Sequence, residues 1–480
     1  MQRGNKRNIS VVILVAVMAL AMHPQAVAEK LFDLQGLIDK AAEKDGTVRL
    51  EKGRYVIGSV DLKSGVTLHL DEGVLLLGST NPYDYKGFVA KESGADLTAD
   101  KCSKPLFALI SAHDASNVAI TGRGTIDGRG LELALAIDSL HHTGVIRDPN
   151  YNTRRMRPAN RPKLLDFENV KHLTIENVNL RSSASWGLSL KNCSDVTVRG
   201  IDFVNRAYWN NDGIDISDCK NVLVEKCHIN SADDGIVLKS FDANGCNDGI
   251  EIRDCDIESS ASAFKMGTES FGGFRNVTVK NLRIKDTFRS AVAIETVDGA
   301  FLENVSVDSV TATNTGNAFF IRLGHRRGEK PGSLRNVTIS NLRCEIPFGR
   351  PDEDYDLRGP DINVIHNPFP ASITGIPGHK VENVTLRNID VSYPGRGTKG
   401  MGYIGAYRYK DVPENIDSYP EFHMFGELPA WALYMRHVDG VTFDNVKFTK
   451  RADDYRRAIV AVDDVSNVTG MDKIRTGTEN

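Results

Sequence analysis

A four-residue alternation of apolar and polar positions recurs along most of this chain. Its copies are Asn117-Val118-Ala119-Ile120, His172-Leu173-Thr174-Ile175, Asp195-Val196-Thr197-Val198, Asn221-Val222-Leu223-Val224 and Gly249-Ile250-Glu251-Ile252. They continue as Asn276-Val277-Thr278-Val279, Asn304-Val305-Ser306-Val307, Asn336-Val337-Thr338-Ile339, Asn383-Val384-Thr385-Leu386 and Gly440-Val441-Thr442-Phe443. From Ile175 to Val307 the copies advance by 23 to 28 residues, a solenoid spacing. Each copy reads as a short strand with one buried face, which has no stability alone. Stacking equal strands from successive turns buries those faces and pairs the backbone. The pattern therefore predicts an all-β chain wound as a parallel β-helix.

Two further columns fit that winding. Asn177, Asn281, Asn341, Asn388 and Asn445 each lie two residues after a repeat's last apolar residue, where stacked amides can hydrogen-bond along the column. Cys193 and Cys219 precede their repeats at a common offset, and Cys227 and Cys255 follow theirs at another. They read as buried, small apolar residues rather than disulfides. Leu34, Leu37, Ile38 and Ala41 are at helical spacing, so residues 31–42 predict an amphipathic helix capping the open end of the coil. Strands are expected at 47–50, 53–56 and 66–70. The period breaks at Tyr83–Pro105, Leu131–Lys163, Pro347–Gly378 and Tyr393–Pro429, predicting long loops that shape a site.

The first residues read as an address. Arg3, Lys6 and Arg7 precede an uncharged run from Ile9 to Met22, and Ala26-Val27-Ala28 is a small-x-small ending. A signal peptide over 1–28 is expected, then a single domain over 29–480, secreted or periplasmic, with no membrane span after cleavage. The whole chain has 480 residues, a net charge of -4, 25% charged residues and only 7% aromatic ones. That balance argues against nucleic acid as the partner. Seven cysteines in 480 residues do not make a disulfide scaffold, and no His/Cys/Asp cluster predicts a metal. No cofactor is expected, and the chain is expected to be a monomer.

A second strand per turn carries the candidate chemistry. It runs through Gly213-Ile214-Asp215-Ile216-Ser217, Gly235-Ile236-Val237-Leu238-Lys239, Ala263-Phe264-Lys265-Met266-Gly267, Ala291-Val292-Ala293-Ile294-Glu295 and Phe320-Ile321-Arg322-Leu323-Gly324. Aligning Ile214, Ile236, Phe264, Val292 and Ile321 on the inside gives one outward column of Asp215, Val237, Lys265, Ala293 and Arg322. The next outward column is Ser217, Lys239, Gly267, Glu295 and Gly324. Asp212 and Asp234 each precede the first inward residue by two, so they fall on neighbouring rungs about 4.8 Å apart, with Asp233 alongside. Asp and Gly also favour turns, which alone would account for either motif. Three carboxylates packed together repel, so at least one should hold a proton near neutrality. One protonated and one ionised carboxyl are what glycosidic-bond hydrolysis requires.

At these residues the chain resembles the polygalacturonase family (glycoside hydrolase family 28). Asn210-Asn211-Asp212-Gly213-Ile214-Asp215 is similar to the family's N-T-D-G-I-D, and Asp233 to Ser240 to its D-D-x-I-x-x-K-S strand. The resemblance implies a right-handed parallel β-helix that hydrolyses glycosidic bonds with inversion. Asp233 would be the general acid, and Asp212 and Asp234 would position and deprotonate water. A galacturonate-containing, pectin-type polysaccharide or oligosaccharide is the implied substrate. Two motifs differ: Ala261-Ser262-Ala263 stands for G-H-G, and Ala293-Ile294-Glu295 for R-I-K. The missing basic pair holds the sugar carboxylate in that family. A neutral or differently substituted sugar, as in rhamnogalacturonan, is therefore one expectation. A clamp moved to Lys265, Arg322 or the basic loop of Arg154, Arg155 and Arg157 is the other. Lys239, in the D-D-x-I-x-x-K-S strand, is a further candidate for substrate binding. Trp186, Tyr208 and Trp209 are candidates for stacking on sugar, and His325 for the missing family His. Long interruptions near the C-terminus favour exo action. Competing classes are a β-helix lyase using Lys265 or Arg322 as base, and a non-catalytic glycan-binding β-helix.

Overall fold

The repeating strands wind into a right-handed parallel β-helix with three faces. The computed structural model describes residues 29–44, 46–88, 107–145, 161–352, 369–403 and 411–479. The segment read as a signal peptide, the loop of Arg154, Arg155 and Arg157, and Cys102 lie outside the described residues.

The first face carries the recurring alternation. Val118, Leu173, Val196, Val222, Ile250, Val277, Val305, Val337, Val384 and Val441 pair rung to rung in one parallel ladder. All ten copies thus share one register, and Val468 adds another rung. The second face stacks Leu180, Phe203, Ile229, Ile257, Ile284, Ala312, Cys344, Val391 and Phe448. The third stacks Leu165, Leu188, Ile214, Ile236, Phe264, Val292 and Phe319. The three inner faces meet in one core running the length of the coil, in which each buried Val, Leu or Ile contributes about 1.5–3 kcal/mol.

The bends between faces use asparagine. Asn445 donates to Asn388 at 2.9 Å, Asn388 to Asn341 at 2.9 Å, and Asn341 to Asp308 at 2.7 Å. Asn177, Asn281, Asn341, Asn388 and Asn445 all have φ between 52° and 61°. Asn tolerates that left-handed conformation better than other side chains with a Cβ, so one residue type both turns the chain and ties successive turns. Cys193, Cys219, Cys227 and Cys255 are buried and free, as expected, and the Cys193 amide donates to Cys219 Sγ at 3.4 Å.

Helix α1, Leu34–Ala42, closes the N-terminal end with Leu34 and Ile38 buried, and Asp33 caps it by accepting from the Gly36 amide at 2.9 Å. A second helix, α2 (Gly130–His142), was not foreseen in the interruption after Leu131; it buries Leu133, Ala134 and Ile137. Near the other end, Phe369, Phe422, Phe425 and Leu428 pack outside the third face on Phe320 and Tyr434, forming a small second core.

The expected column of the third face needs one correction. Val292 pairs with Phe319, Ala293 with Phe320, Ile294 with Ile321 and Glu295 with Arg322. The last rung is therefore shifted by two residues from the alignment that put Ile321 beside Val292. An irregularity between Thr287 and Ser290 sets this register. A shift of two keeps every side chain on its own face, so alternation alone does not reveal it.

Candidate active site

The turn that leads into the third face carries the aspartates. The Gly213 amide donates to the Asp234 carbonyl at 2.9 Å, and the Gly235 amide to the Ser262 carbonyl at 2.8 Å. Asp212, Asp234 and Ser262 therefore occupy one position on consecutive rungs. The position three before each first inward residue is stacked likewise: the Asp233 amide donates to the Asn211 carbonyl at 3.2 Å, and the Arg289 amide to the Ala261 carbonyl at 2.9 Å. Glycine is required between these acids and their strands. A Cβ on Gly213 would sit 2.3 Å from the Gly235 carbonyl oxygen, and one on Gly235 would sit 2.6 Å from that of Ala263.

Three kinds of surroundings separate the carboxyls. Asp212 is buried, with the Lys239 ammonium 3.0 Å from Oδ2 and no partner for Oδ1. The same ammonium bonds Asp215 Oδ1 and lies 4.0 Å from the centre of the Trp186 ring, which stacks on Phe241. Burial raises both acids; Lys239 opposes this, but one ammonium does not balance two buried carboxylates. Both are thus shifted up, Asp212 further than Asp215. Burial works against the Lys239 charge too, yet Asp212 and Asp215 hold it well above the usual lysine value.

Asp233 reaches solvent more than its neighbours. Burial and then the charge on Asp234 push its carboxyl up, against the pull of Arg289, Lys265 and Lys239. Asp234 goes the other way. Burial pushes it up, but Lys265, Arg289, Lys239 and the Ser262 amide together bring it below the usual carboxylate range. Its Oδ2 is 3.4 Å from Lys265 Nζ, and its Oδ1 accepts from the Ser262 amide at 3.2 Å. Adjacent residues in one turn thus hold a carboxyl biased to keep its proton and a carboxyl biased to lose it.

Beyond Asp234 lies a group assembled from distant segments. Lys265 is fully buried, and its ammonium is 3.6 Å from Glu421 Oε1. Burial lowers the Lys265 value, but Asp234, Tyr419, Glu295 and Glu421 more than reverse that. Arg289 also pairs with Glu421 Oε1. Tyr419 covers Lys265, with its ring centre 5.4 Å from Nζ. Glu295 is 1% exposed and neither of its oxygens is hydrogen-bonded. Burial lifts its carboxyl well above the usual range, though Lys265 opposes this.

Some expected binding residues are placed elsewhere. Arg322 is a correction: it is 1% exposed and donates to the carbonyls of Gly375 at 2.9 Å, Glu414 at 2.8 Å and Asn415 at 3.1 Å. It braces the C-terminal loop instead of facing a ligand, and it does not share a column with Lys265. Trp209 is also corrected. It is packed in the core at 7% exposure, and its carbonyl accepts from Arg161. Trp186 and Tyr208 are similarly buried. The His325 ring faces the Gly328 carbonyl of its own turn at 3.2 Å. Lys239 and Lys265 do lie at the aspartates, through Asp212 and Asp234. Arg289, Tyr419 and Glu421 were missed. Arg289 was readable, since it stands in the column of Asn211, Asp233 and Ala261. Glu421 arrives from outside the repeats and carries no periodic signal.

The sequence profile of Glycosyl hydrolases family 28 matches residues 52–345. The chain belongs to this family. A polygalacturonase of Ralstonia solanacearum is 29% identical over 376 residues, covering 71% of this chain and 62% of that protein. An endo-polygalacturonase of Pectobacterium parmentieri is 28% identical over 50% of this chain and 58% of its own length. The chain thus spans about three fifths of these relatives. Among solved structures, a family 28 exopolygalacturonase of Yersinia enterocolitica superposes with a TM-score of 0.65 at 17% identity, covering 90% of this chain and 75% of that one. The polygalacturonase of Erwinia carotovora ssp. carotovora gives 0.55 at 19% identity, covering 76% and 92%. At such identities these two structures speak for the family 28 fold, and the aspartate turns fall inside the matched span.

Proposed function

We propose that the chain hydrolyses a glycosidic bond in a galacturonate-containing, pectin-type glycan, with inversion at the anomeric carbon. The observation that carries this reading is the turn in which Asp233 and Asp234 are shifted in opposite directions beside Asp212. Asp233, the more exposed of the two and biased to keep its proton, gives that proton to the leaving oxygen. Asp234, ionised, takes a proton from the water that attacks the opposite side of the sugar. Asp212, held with Asp215 by the Lys239 ammonium, positions that water through its unpartnered Oδ1. Water's oxygen forms the new bond to carbon as the bond to the leaving oxygen breaks. The proton lost to Asp234 balances the one given by Asp233.

A lyase mechanism fits less well. Lys265 is held protonated by Asp234 and its neighbours, so it is a poor base, and the Arg322 guanidinium is occupied by carbonyls. Exo action is supported by the segment carrying Tyr419 and Glu421, which packs on the third face just beyond the aspartates and would wall one end of a groove. Export through residues 1–28 and a monomeric state complete the proposal; no helix among the described residues is long and apolar enough to cross a membrane. Incubation with pectic oligosaccharides, including rhamnogalacturonan fragments, tests the whole reading. Mass analysis should find products whose summed mass exceeds the substrate's by one water, released stepwise from one end, and NMR should find inverted anomers. Products with a new double bond, or no product at all, would refute it.

A further inference from the structure

Glu421 supplies, from within the protein, the kind of group a uronate would bring. Its Oε1 engages Arg289 and lies 3.6 Å from Lys265, the cations next to Asp233 and Asp234. Its position is not casual. The following residues, Phe422, Phe425 and Leu428, are locked into the small outer core on Phe320 and Tyr434, and Glu421 itself is only 6% exposed. Lys265 is paired on its other side with Asp234 at 3.4 Å. Two cations are thus matched by two carboxylates before any ligand arrives, and an incoming carboxylate finds no uncompensated positive charge.

The unmet hydrogen bonds point the same way. The Lys265 ammonium and both Glu295 oxygens are buried with no hydrogen-bond partner, and buried polar atoms of this kind are normally satisfied. Glu295 follows the inward Ile294 on the third face, so it projects on the outer side, as Lys265 does after Phe264. A hydroxyl accepts from an ammonium and donates to a carboxyl oxygen. A carboxylate only accepts, and here it would meet the charge on Glu421. Asp233, Arg289 and Tyr419 are the members of this group that reach solvent, and they mark where a sugar would enter.

We infer that the sugar seated beside Asp234, against Lys265 and Glu295, is a neutral one presenting hydroxyls, and that Glu421 is the residue that selects against a uronate there. This rests on the proposed hydrolysis of a pectin-type chain and narrows it to chains that combine uronates with neutral sugars.

The test compares two ligands that differ only at C6, an oligogalacturonate and its carboxyl-reduced counterpart, in which a hydroxymethyl group replaces each carboxylate. Binding is measured by calorimetry on the full chain carrying Asp233→Asn, so that turnover does not interfere. The neutral ligand should bind about tenfold more tightly. Adding Glu421→Gln, which keeps the shape and removes the charge, should shift the preference about tenfold toward the uronate. Glu421→Asp, which shortens the reach to Lys265 and Arg289, should shift it the same way by less, and it carries the test if thermal melting shows that Glu421→Gln does not fold. Tighter binding of the oligogalacturonate to the Asp233→Asn chain, a preference unmoved by either change, or binding of neither ligand would overturn the inference. Hydrolysis by the unmodified chain is scored separately. If it is absent while the neutral preference holds, the catalytic reading alone fails. If it is present with a uronate preference, only this inference fails.

Discussion

Lys239 offers a direct measure of how the aspartates are held. Its ammonium is buried between Asp212 and Asp215 and beneath Trp186. Replacing it with Met fills a similar volume but leaves two buried carboxyls without a counter-charge. Breaking a buried pair in this way costs about 3–5 kcal/mol. The carboxyls can escape part of that cost by taking protons, so the loss should depend on pH. Burial already places both acids above the ordinary aspartate value, and Lys239 is what restrains them. Without it they rise further. A carboxyl whose folded value exceeds its unfolded one binds more protons when folded, and stability then falls as pH rises through that window. The window starts near the unfolded value and in Lys239→Met extends to higher pH than in the parent. The deficit should therefore be small near about pH 5 and reach about 3–5 kcal/mol near pH 8. Urea unfolding followed by tryptophan fluorescence measures it, with Trp186 reporting from the site itself. An equal deficit at both pH values, or one below about 1 kcal/mol at the higher, would mean that Lys239 does not hold these charges.

Three other outcomes follow from the same geometry. Asp233→Asn and Asp234→Asn should each lower kcat by about a hundredfold or more with melting temperature little changed; unchanged hydrolysis would leave only a glycan-binding role. The pH profile of kcat/KM should be bell-shaped. Its acid limb should lie below the usual carboxylate range as Asp234 takes a proton, and its alkaline limb above that range as Asp233 loses one. Asp233→Asn should abolish the alkaline limb in any residual activity, and a limb that persists would assign it to another group. Gly213→Ala should destabilise by about 1–3 kcal/mol or more, because the new methyl meets the Gly235 carbonyl at 2.3 Å and Ile229 at 2.7 Å; a melting curve identical to the parent's would show that the turn can relax.

Much of the frame is local and periodic, and so it is written along the chain. The ten apolar alternations fix a ladder because each strand can bury its face only against its own kind. The asparagines mark bends because few other side chains accept the left-handed turn. The offset common to Asp212 and Asp234 carries through to a shared position on adjacent rungs, since the backbone repeats between them without interruption. Legibility ends where the period is broken or ambiguous. Ile321 was aligned two residues out, because a slip of two leaves every face unchanged and only the irregularity near Thr287 decides it. Arg322 and Trp209 were read as ligand-facing from residue type, but outward residues are buried wherever a loop folds over them. Glu421 meets Arg289 across more than a hundred residues of sequence, through a small core that no repeat announces. The sequence by itself determined the coil, its cap and the stack of acids. The tertiary structure alone decided which charges surround those acids, because burial and long-range pairing, not residue type, set how each proton is held.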